Sequence, residues 1–535
     1  MNRRGGHDRR ATPAQRSGRA RSLLAVVCVA VVAASGCTSL RRWAGQGFRV
    51  GPDYGTPPAP VAEEWIDFQR PEVSNAPADD AEWWHVFGDP VLDRLVRQAA
   101  DENLTLRTAG MRIMEARARL NVARGNLLPQ LQEAFGGFFR TNASRTTANV
   151  FRNTNFDTWN VGLNASWELD FWGRYRRAVE RQDALLDASI EDYDNVLVLL
   201  QAEVATAYIE FRTFQKRLEF ARKNVELQRR TLEIADVQFR NGKVTELDVA
   251  QAKENLAATE AFIPRLEAGL RQAGNAICVL LGTPPRDLTE ELGKAPIPVV
   301  PAEVVVGVPA ELLRRRPDVR RAERLAAAQS AAIGIAEAEF YPHIAISGTI
   351  GYESKKLSSL FSSQSFQGFA GPSFQWNILN YGRILNNVRA NEALFYQRVL
   401  EYQQTVLDAG REVEDAMVGF IKQREEMQRL TESATQAERA VSISMTQYRR
   451  GRVNFQPVVY MQQILAGRQD QLTESRGAVA SQLVAVYRAL GGGWRARFGG
   501  AAGPAEAIGP PAADAPSVPQ PPAPTDDLPA LSDRP

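Results

Sequence analysis

The fold is decided by a stretch of 54 residues at 186–239, LDASIEDYDNVLVLLQAEVATAYIEFRTFQKRLEFARKNVELQRRTLEIADVQF. Apolar side chains recur along it at alternating spacings of four and three residues, and only Gln228 on this stripe is polar. Such a period is typical of a coiled-coil seam, in which one face of a helix packs against its neighbours. Between Gly173 and Gly242 there is no Pro and no interior Gly. The pattern therefore predicts one helix of roughly 100 Å, at about 1.5 Å per residue.

A second copy of the same pattern follows in the chain. The segment FWGR at 171–174 recurs as NYGR at 380–383, which is 209 residues later. The same offset relates QFRNG at 238–242 to QYRRG at 447–451. Repetition at one offset over so long a stretch predicts two copies of one structural unit. Each copy is interpreted as a helix, a variable hairpin, a long helix, a tight turn and a returning helix.

The hairpins are predicted from a second period. From Trp159 to Phe171 the odd positions are apolar and the even positions are polar or Gly, and residues 343–353 and 374–378 alternate in the same way. Alternation with a period of two predicts strands with one apolar face. A half-buried soluble sheet gives the same pattern. Lengths close to the roughly 9–11 residues that span a bilayer, and aromatic residues near the strand ends, favour membrane strands.

Four membrane strands are too few to close into a barrel. The smallest membrane barrels have about 8 strands, and an open sheet edge in lipid leaves backbone groups without hydrogen bonds. We therefore expect several subunits to combine their strands.

The amino terminus has the form of an export signal. Seven arginines within residues 1–21 precede an unbroken apolar run at 23–34, as in a signal peptide. The run ends in ASGC at 34–37, which resembles the lipobox of bacterial lipoproteins and predicts a covalent lipid on Cys37. Under the sorting rule for such lipoproteins, Thr38 in place of Asp directs the anchor to the outer membrane. An ordinary signal peptide with an incidental Cys is the alternative.

Composition and missing motifs exclude several classes of protein. The 64 Lys and Arg nearly balance the 62 Asp and Glu, so the basic excess of a nucleic-acid surface is absent. The three Cys and three His are scattered, which favours neither a disulfide framework nor a metal site. No phosphate loop, nucleophile pair or recognisable carboxylate pair is present in the sequence, so we expect no enzyme, no catalytic residues and no cofactor.

Five motifs in a fixed order carry a family resemblance: VGPDY at 50–54, WW at 83–84 with DP at 89–90, LLG at 280–282, LLRRRPDVR at 312–320 and ALGGGW at 489–494. This series resembles the TolC-like outer-membrane factors, specifically their OprM/NodT lipoprotein branch, from about Cys37 to Trp494. The resemblance implies a mainly α fold with a small β part, internally duplicated. A long coiled-coil α-barrel would adjoin four transmembrane strands per chain, which form a twelve-stranded barrel in a homotrimer.

The resemblance also implies function and partners. Such proteins are passive exit ducts in the outer membrane, joined to an inner-membrane pump by a periplasmic adaptor. Two alternatives remain at this point: a periplasmic coiled-coil structural lipoprotein without a pore, and an exit duct for type I protein secretion. The sequence names neither the cargo nor the pump, although the branch favours small molecules.

In this family the periplasmic closure lies at the helix turns. The candidate gate residues are Glu246, Asp248, Arg449, Arg450 and Arg452. Solvated turn charges are the alternative interpretation. Tyr460 aligns where family members often carry an Asp, which argues against a second acidic ring. The candidate adaptor-docking positions are Gly242, Lys243, Val244, Gly451, Arg452 and Val453. Gly242 and Gly451 are also predicted to be left-handed caps of the long helices.

The predicted domains are a signal peptide at 1–36, an anchor and equatorial segment at 37–100, repeats at 101–300 and 301–494, and a disordered Pro/Ala-rich tail at 495–535. The predicted elements of the two repeats are hairpins at 130–171 and 343–379, long helices at 173–241 and 383–450, and returning helices at 244–281 and 455–490.

Overall fold

The computed structural model describes residues 40–74, 81–142, 155–301, 304–305 and 314–495. The predicted signal peptide, the lipid site at Cys37 and nearly all of the predicted tail lie outside these ranges. The chain divides into two compact units. Among the described residues, the first contains those within 40–53, 121–181 and 330–392, and the second contains those within 54–120, 182–329 and 393–495.

Helices account for most of the described residues, which confirms the prediction of a mainly α fold. They are α1 (Leu40–Gly45), α2 (Pro90–Glu102), α3 (Leu104–Gly125), α4 (Arg174–Arg240), α5 (Glu246–Leu280), α6 (Thr289–Leu292), α7 (Pro317–Ala338), α8 (Arg383–Arg449) and α9 (Gln456–Ala489). Two of them, α4 and α8, contain 67 residues each. Within the described ranges, no helix combines the length and the apolar character that a membrane crossing requires.

The duplication is visible in the backbone and in individual hydrogen bonds. Glycines with positive φ occur in three pairs at the 209-residue offset, namely Gly173 and Gly382, Gly242 and Gly451, and Gly282 and Gly491. The indole nitrogen of Trp167 donates to the backbone oxygen of Leu127 at 3.1 Å, and that of Trp376 donates to the backbone oxygen of Phe340 at 2.9 Å. In each copy, a tryptophan indole thus hydrogen-bonds to the backbone at the corresponding turn.

The first unit contains a four-stranded antiparallel sheet in the order β2 (Leu131–Asn142), β3 (Asn155–Leu169), β5 (His343–Ser354) and β6 (Phe366–Gln375). Its register pairs Leu163 with Ile350 and Trp167 with Ile346, so apolar side chains of neighbouring strands share one face. Polar side chains share the other face, where Ser166 lies 3.0 Å from Ser347 and Thr349 donates to Asn164 at 2.8 Å.

The strands end earlier than the alternation of the sequence predicts. β3 stops at Leu169 and β6 at Gln375, whereas the apolar pattern continues to Phe171 and Ile378. At both positions the backbone makes a tight turn, because the amide of Phe171 donates to the oxygen of Leu169, and the amide of Ile378 to that of Trp376. The extra apolar residues therefore belong to the turns that lead into the long helices.

Sequence analysis missed a second, very short sheet. β1 (Val73–Ser74) pairs in parallel with β4 (Val304–Val305) in the second unit. Two residues are too few to show any period, so only the tertiary structure reveals this pairing.

A buried arginine organises part of the core of the second unit. The Arg212 guanidinium donates to the backbone oxygens of Leu292 at 2.9 Å and Gly293 at 2.7 Å, and to the Tyr208 hydroxyl at 2.9 Å. That hydroxyl in turn donates to Asp89 at 2.7 Å, and Asp89 caps α2. Through these bonds, Arg212 links the end of α6 and the start of α2 to the long helix α4.

We expect Arg212→Met to lower the free energy of unfolding by roughly 2–4 kcal/mol, since it removes the side-chain donor of the buried Leu292 oxygen and the Arg212 partner of the Tyr208 hydroxyl. The Gly293 oxygen keeps a donor in Gln215. Arg222→Met is the matched control, because Arg222 lies on the same helix and its pair with Glu267 is exposed. Denaturant or thermal unfolding of the purified variants measures both effects. Equal effects of the two substitutions would contradict this role of Arg212.

Candidate gating site at the helix turns

The two turns between long and returning helices have the same backbone geometry. Gly242 has φ +67° and Gly451 has φ +69°, a region that glycine enters without strain. The amide of Lys243 donates to Gln238 at 2.9 Å, and that of Arg452 donates to Gln447 at 3.0 Å. These bonds satisfy carbonyl groups of the last helical turn, as in a Schellman motif. The left-handed caps predicted at both glycines are therefore present.

An apolar cluster packs against both turns, and we call it the turn cluster. Its buried members come from α4, α5, α8 and α9 and from the second turn: Ala235, Val249, Ala252, Met445, Tyr448, Phe455, Val458 and Val459. The rings of Tyr448 and Phe455 lie 5.1 Å apart, within the range of favourable aromatic contacts. Because four helices share one cluster, neither turn can move far without disturbing the packing of the other.

Asp248 and Tyr448 are the ionisable groups most affected by this packing. Asp248 is half-buried in the first turn of α5, and burial raises the pKa of its carboxyl group. Tyr448 is 2% exposed, and its hydroxyl has no hydrogen-bond partner among the described residues. Burial, followed by the negative charge of Asp248, raises the pKa of Tyr448 to about 12. A carboxylate and a buried phenol from different copies of the repeat are thus electrostatically coupled.

The other candidate gate residues lie in solvent. Glu246, Arg449, Arg450 and Arg452 are exposed, and none forms an ion pair with any described residue. The first turn carries Lys243, Glu246 and Asp248, whereas the second carries three arginines. The two turns therefore present different charge to their surroundings.

The candidate docking positions differ in accessibility. Gly242, Lys243, Gly451 and Arg452 are exposed, whereas the side chains of Val244 and Val453 are half-buried against the turn cluster.

Three apolar side chains near the first turn are exposed. Sequence analysis missed Val237 and Leu247, and it placed Phe239 on the apolar stripe, where the side chain is 41% exposed. Leu247 is 63% exposed, whereas Val249, two positions later, is buried in the turn cluster. Tyr460, on the first turn of α9, is also exposed.

Nothing in the described part of the chain forms a group of His, Cys, Asp and Glu suited to hold a metal ion. Cys278 is a buried free thiol in the apolar core of the second unit.

The profile of the outer membrane efflux protein family matches residues 95–283 and 308–492, well over half of the chain. The chain belongs to the outer membrane efflux protein family. One relative is nodulation protein T of Rhizobium leguminosarum bv. viciae. It is 30% identical to this chain over 449 residues, which cover 84% of this chain and 91% of the relative.

Two further relatives support the same assignment. The probable outer membrane lipoprotein SilC of Salmonella typhimurium is 28% identical over 480 residues, covering 88% of this chain and 98% of the relative. The solved structure of the outer-membrane channel OprN is 31% identical with a TM-score of 0.79, covering 83% of this chain and 99% of that chain.

The protein is thus an outer-membrane efflux channel component that extends into the periplasm, and not an enzyme. The family and function predicted from the motifs are confirmed. The family and the solved outer-membrane channel OprN favour the efflux channel over the alternative of a structural coiled-coil lipoprotein without a pore.

We expect Tyr448→Phe to leave stability unchanged or to raise it by about 1 kcal/mol, because it removes a buried hydroxyl without a partner. Tyr208→Phe is the matched control and should destabilise, since the Tyr208 hydroxyl bonds to Asp89 and Arg212. Thermal unfolding of the two variants beside the parent protein measures both. A loss on Tyr448→Phe as large as that of the control would show that the Tyr448 hydroxyl has a partner.

Proposed function

We propose that three copies of the chain form one continuous duct and combine their strands into a twelve-stranded barrel in the outer membrane. The sheet supports this proposal, because β2 and β6 are edge strands on either side of it. An edge strand in lipid leaves a row of backbone groups without hydrogen bonds, at several kcal/mol for each group. Pairing β6 of one copy with β2 of the next removes every edge.

The two faces of the sheet support the same arrangement. Leu163, Ile346, Ile350 and Phe374 share its apolar face and are exposed. Contact with lipid acyl chains would cover them. The opposite face carries serine, threonine, asparagine and charged side chains, as the water-filled interior of a membrane barrel does.

The helix turns are proposed as the periplasmic closure of the duct. A threefold ring would bring Glu246 and Asp248 of three copies around one axis, together with the arginines at 449, 450 and 452. Charges repeated in this way at a constriction govern which ions pass. The rigid support of each turn by the turn cluster favours a closure that moves as a whole rather than as separate side chains.

The partners of the proposed duct are a periplasmic adaptor and an inner-membrane pump that supplies the energy. The exposed turn positions Gly242, Lys243, Gly451 and Arg452 are proposed as adaptor contacts. Val244 and Val453 would hold these contact positions in place, since their side chains pack against the turn cluster. Small molecules are the proposed cargo.

Single-channel conductance in a planar bilayer tests the closure. Asp248→Ala and Arg449→Ala should convert a small or intermittent conductance into a larger and steadier one, because each removes charge from the proposed constriction. Arg429→Ala is the matched control on α8, since Arg429 is 87% exposed and its pair with Glu432 lies on the helix surface. If both turn variants conduct like the parent and the control, the closure does not lie at the turns.

A lipid on Cys37 is the proposed anchor. Cys37→Ser should abolish the mass increase that acylation adds to the mature chain, while Cys28→Ser should leave it unchanged, because Cys28 precedes the proposed cleavage site. Mass spectrometry of the mature protein from membranes measures both. An unmodified Cys37 in the parent protein would contradict the anchor.

A further inference from the structure

Residues 43–53 lie against the start of α4, and we call them the strap. Two consecutive arginines of α4, Arg176 and Arg177, donate to backbone oxygens of the strap. Their four acceptors, at 2.6–3.0 Å, are Gly47, Phe48, Val50 and Gly51. All of these residues belong to the first unit. We call the two arginines the clamp, because a guanidinium group can hold several carbonyl groups at once.

The strap lies close to α4 because Gly173 has no side chain. A Cβ at Gly173 would lie 2.9 Å from the Cα of Arg49, which is closer than such atoms approach. The charged side chains of the strap pair with each other and with α4. Arg49 lies 3.2 Å from Glu180 and 3.5 Å from Asp53, and Asp53 lies 3.0 Å from Arg177. One side of the strap is therefore charged, and its charges have partners.

The strap also completes an aromatic cluster at the ends of two strands. Measured between ring centroids, Trp43 lies 4.8 Å from Phe48, 5.1 Å from Phe171 and 5.4 Å from Trp172. Tyr341 stacks on Trp172 at 4.4 Å. We call these five rings the aromatic cluster. Phe171 follows the last residue of β3 by two positions, and Tyr341 precedes the first residue of β5 by two. The aromatic cluster therefore lies where both central strands of the sheet end.

Two rings of the aromatic cluster are exposed, namely Phe48 at 53% and Phe171 at 46%. Phe48 also has a φ of +62°, a conformation that is unfavourable for a bulky side chain. The bond from Arg176 to the Phe48 oxygen helps to hold this conformation. The fold thus keeps a strained backbone that leaves an apolar ring uncovered, which indicates that the ring contacts a further apolar surface.

The clamp is not a requirement of the repeated fold. At the 209-residue offset, Arg176 and Arg177 correspond to Leu385 and Asn386. The second repeat therefore forms its strand, turn and long helix without either guanidinium group. The clamp serves a feature that the first repeat alone possesses, and that feature is the strap.

We propose that the aromatic cluster is a lipid-contact surface, which the strap and the clamp hold at the boundary of the bilayer. Aromatic rings are enriched at this boundary, where apolar and polar surroundings meet. The aromatic and charged sides of the strap fit the same position. Cys37 precedes Trp43 by six residues, so a lipid on Cys37 would enter the bilayer within about 20 Å of the cluster. This inference rests on the proposed membrane strands and lipid anchor.

The clamp gives the strap a positioning role in addition to the lipid contact. Because Arg176 and Arg177 fix the strap to α4, the exposed rings keep a constant place relative to the ends of β3 and β5. The lipid contact would therefore set the depth at which these strands end in the bilayer.

Collision rates of spin labels in phospholipid vesicles test the lipid contact. Phe48→Cys and Phe171→Cys are labelled separately in the full lipidated protein that also carries Cys278→Ser, and Cys278→Ser alone gives the background. Oxygen concentrates in lipid and a nickel chelate stays in water, so the ratio of the two collision rates reports the surroundings of the label. At both positions this ratio should exceed that of Arg429→Cys, an exposed position on α8, by about threefold or more.

Two results would overturn the lipid contact. One is a ratio at both labels equal to that of Arg429→Cys, which means that the rings face water. The other is protection of both labels from oxygen and chelate alike, which means that protein, such as a second copy, covers the rings. Phe374→Cys on the apolar face of the sheet is a separate reference for the membrane strands. Water around that label would contradict the proposed barrel, while the two strap labels would still decide the lipid contact.

Arg176→Met tests the clamp. It should lower the ratio at the Phe48→Cys label by about twofold or more, because two backbone oxygens of the strap lose their donor. The bonds from Arg177 remain and keep the strap attached to α4. Arg222→Met is the matched control on the same helix and should leave the ratio unchanged. An unchanged ratio in Arg176→Met as well would overturn the positioning role of the clamp.

Discussion

A helix of 67 residues with an apolar stripe along one face cannot bury that stripe by itself. This constraint explains why a returning helix packs against each long helix. Leu218 and Ala221 of α4 pack with Leu266 of α5, and Ala437 and Val441 of α8 pack with Leu465 of α9. Each long helix is thus covered along part of its stripe by the returning helix that follows it. The tight turns between them are required, since only a short connection brings the returning helix back along the same seam.

Polar side chains within the helical core restrict how the helices can pair. Gln462 donates to Thr231 at 2.8 Å and accepts from Asn255 at 3.2 Å, and all three residues are nearly inaccessible to solvent. An apolar seam alone tolerates shifts along the helix axis, whereas a buried polar group out of register loses its partner. These contacts join α4, α5 and α9, so they set the register between the two copies of the repeat.

Buried arginines have a comparable role where the backbone is irregular. Arg177 donates to the backbone oxygens of Val50 and Gly51 at 3.0 Å each, and Arg316 donates to that of Ala489 at 2.6 Å. The guanidinium group presents five donors in a rigid plane and can satisfy several carbonyl groups at once. Segments without regular structure are thereby held against the helices.

The sequence by itself determined the long helices, their turns, the duplication and the alternating strands, because each depends on spacing between residues that are close in the chain. A heptad stripe and a left-handed glycine such as Gly242 are local properties. Only the tertiary structure decided that Glu168 meets His343, that β1 pairs with β4, and where β3 and β6 end. These features depend on contacts between residues more than 150 positions apart, or on tight turns that interrupt an apolar pattern, and neither leaves a period in the sequence.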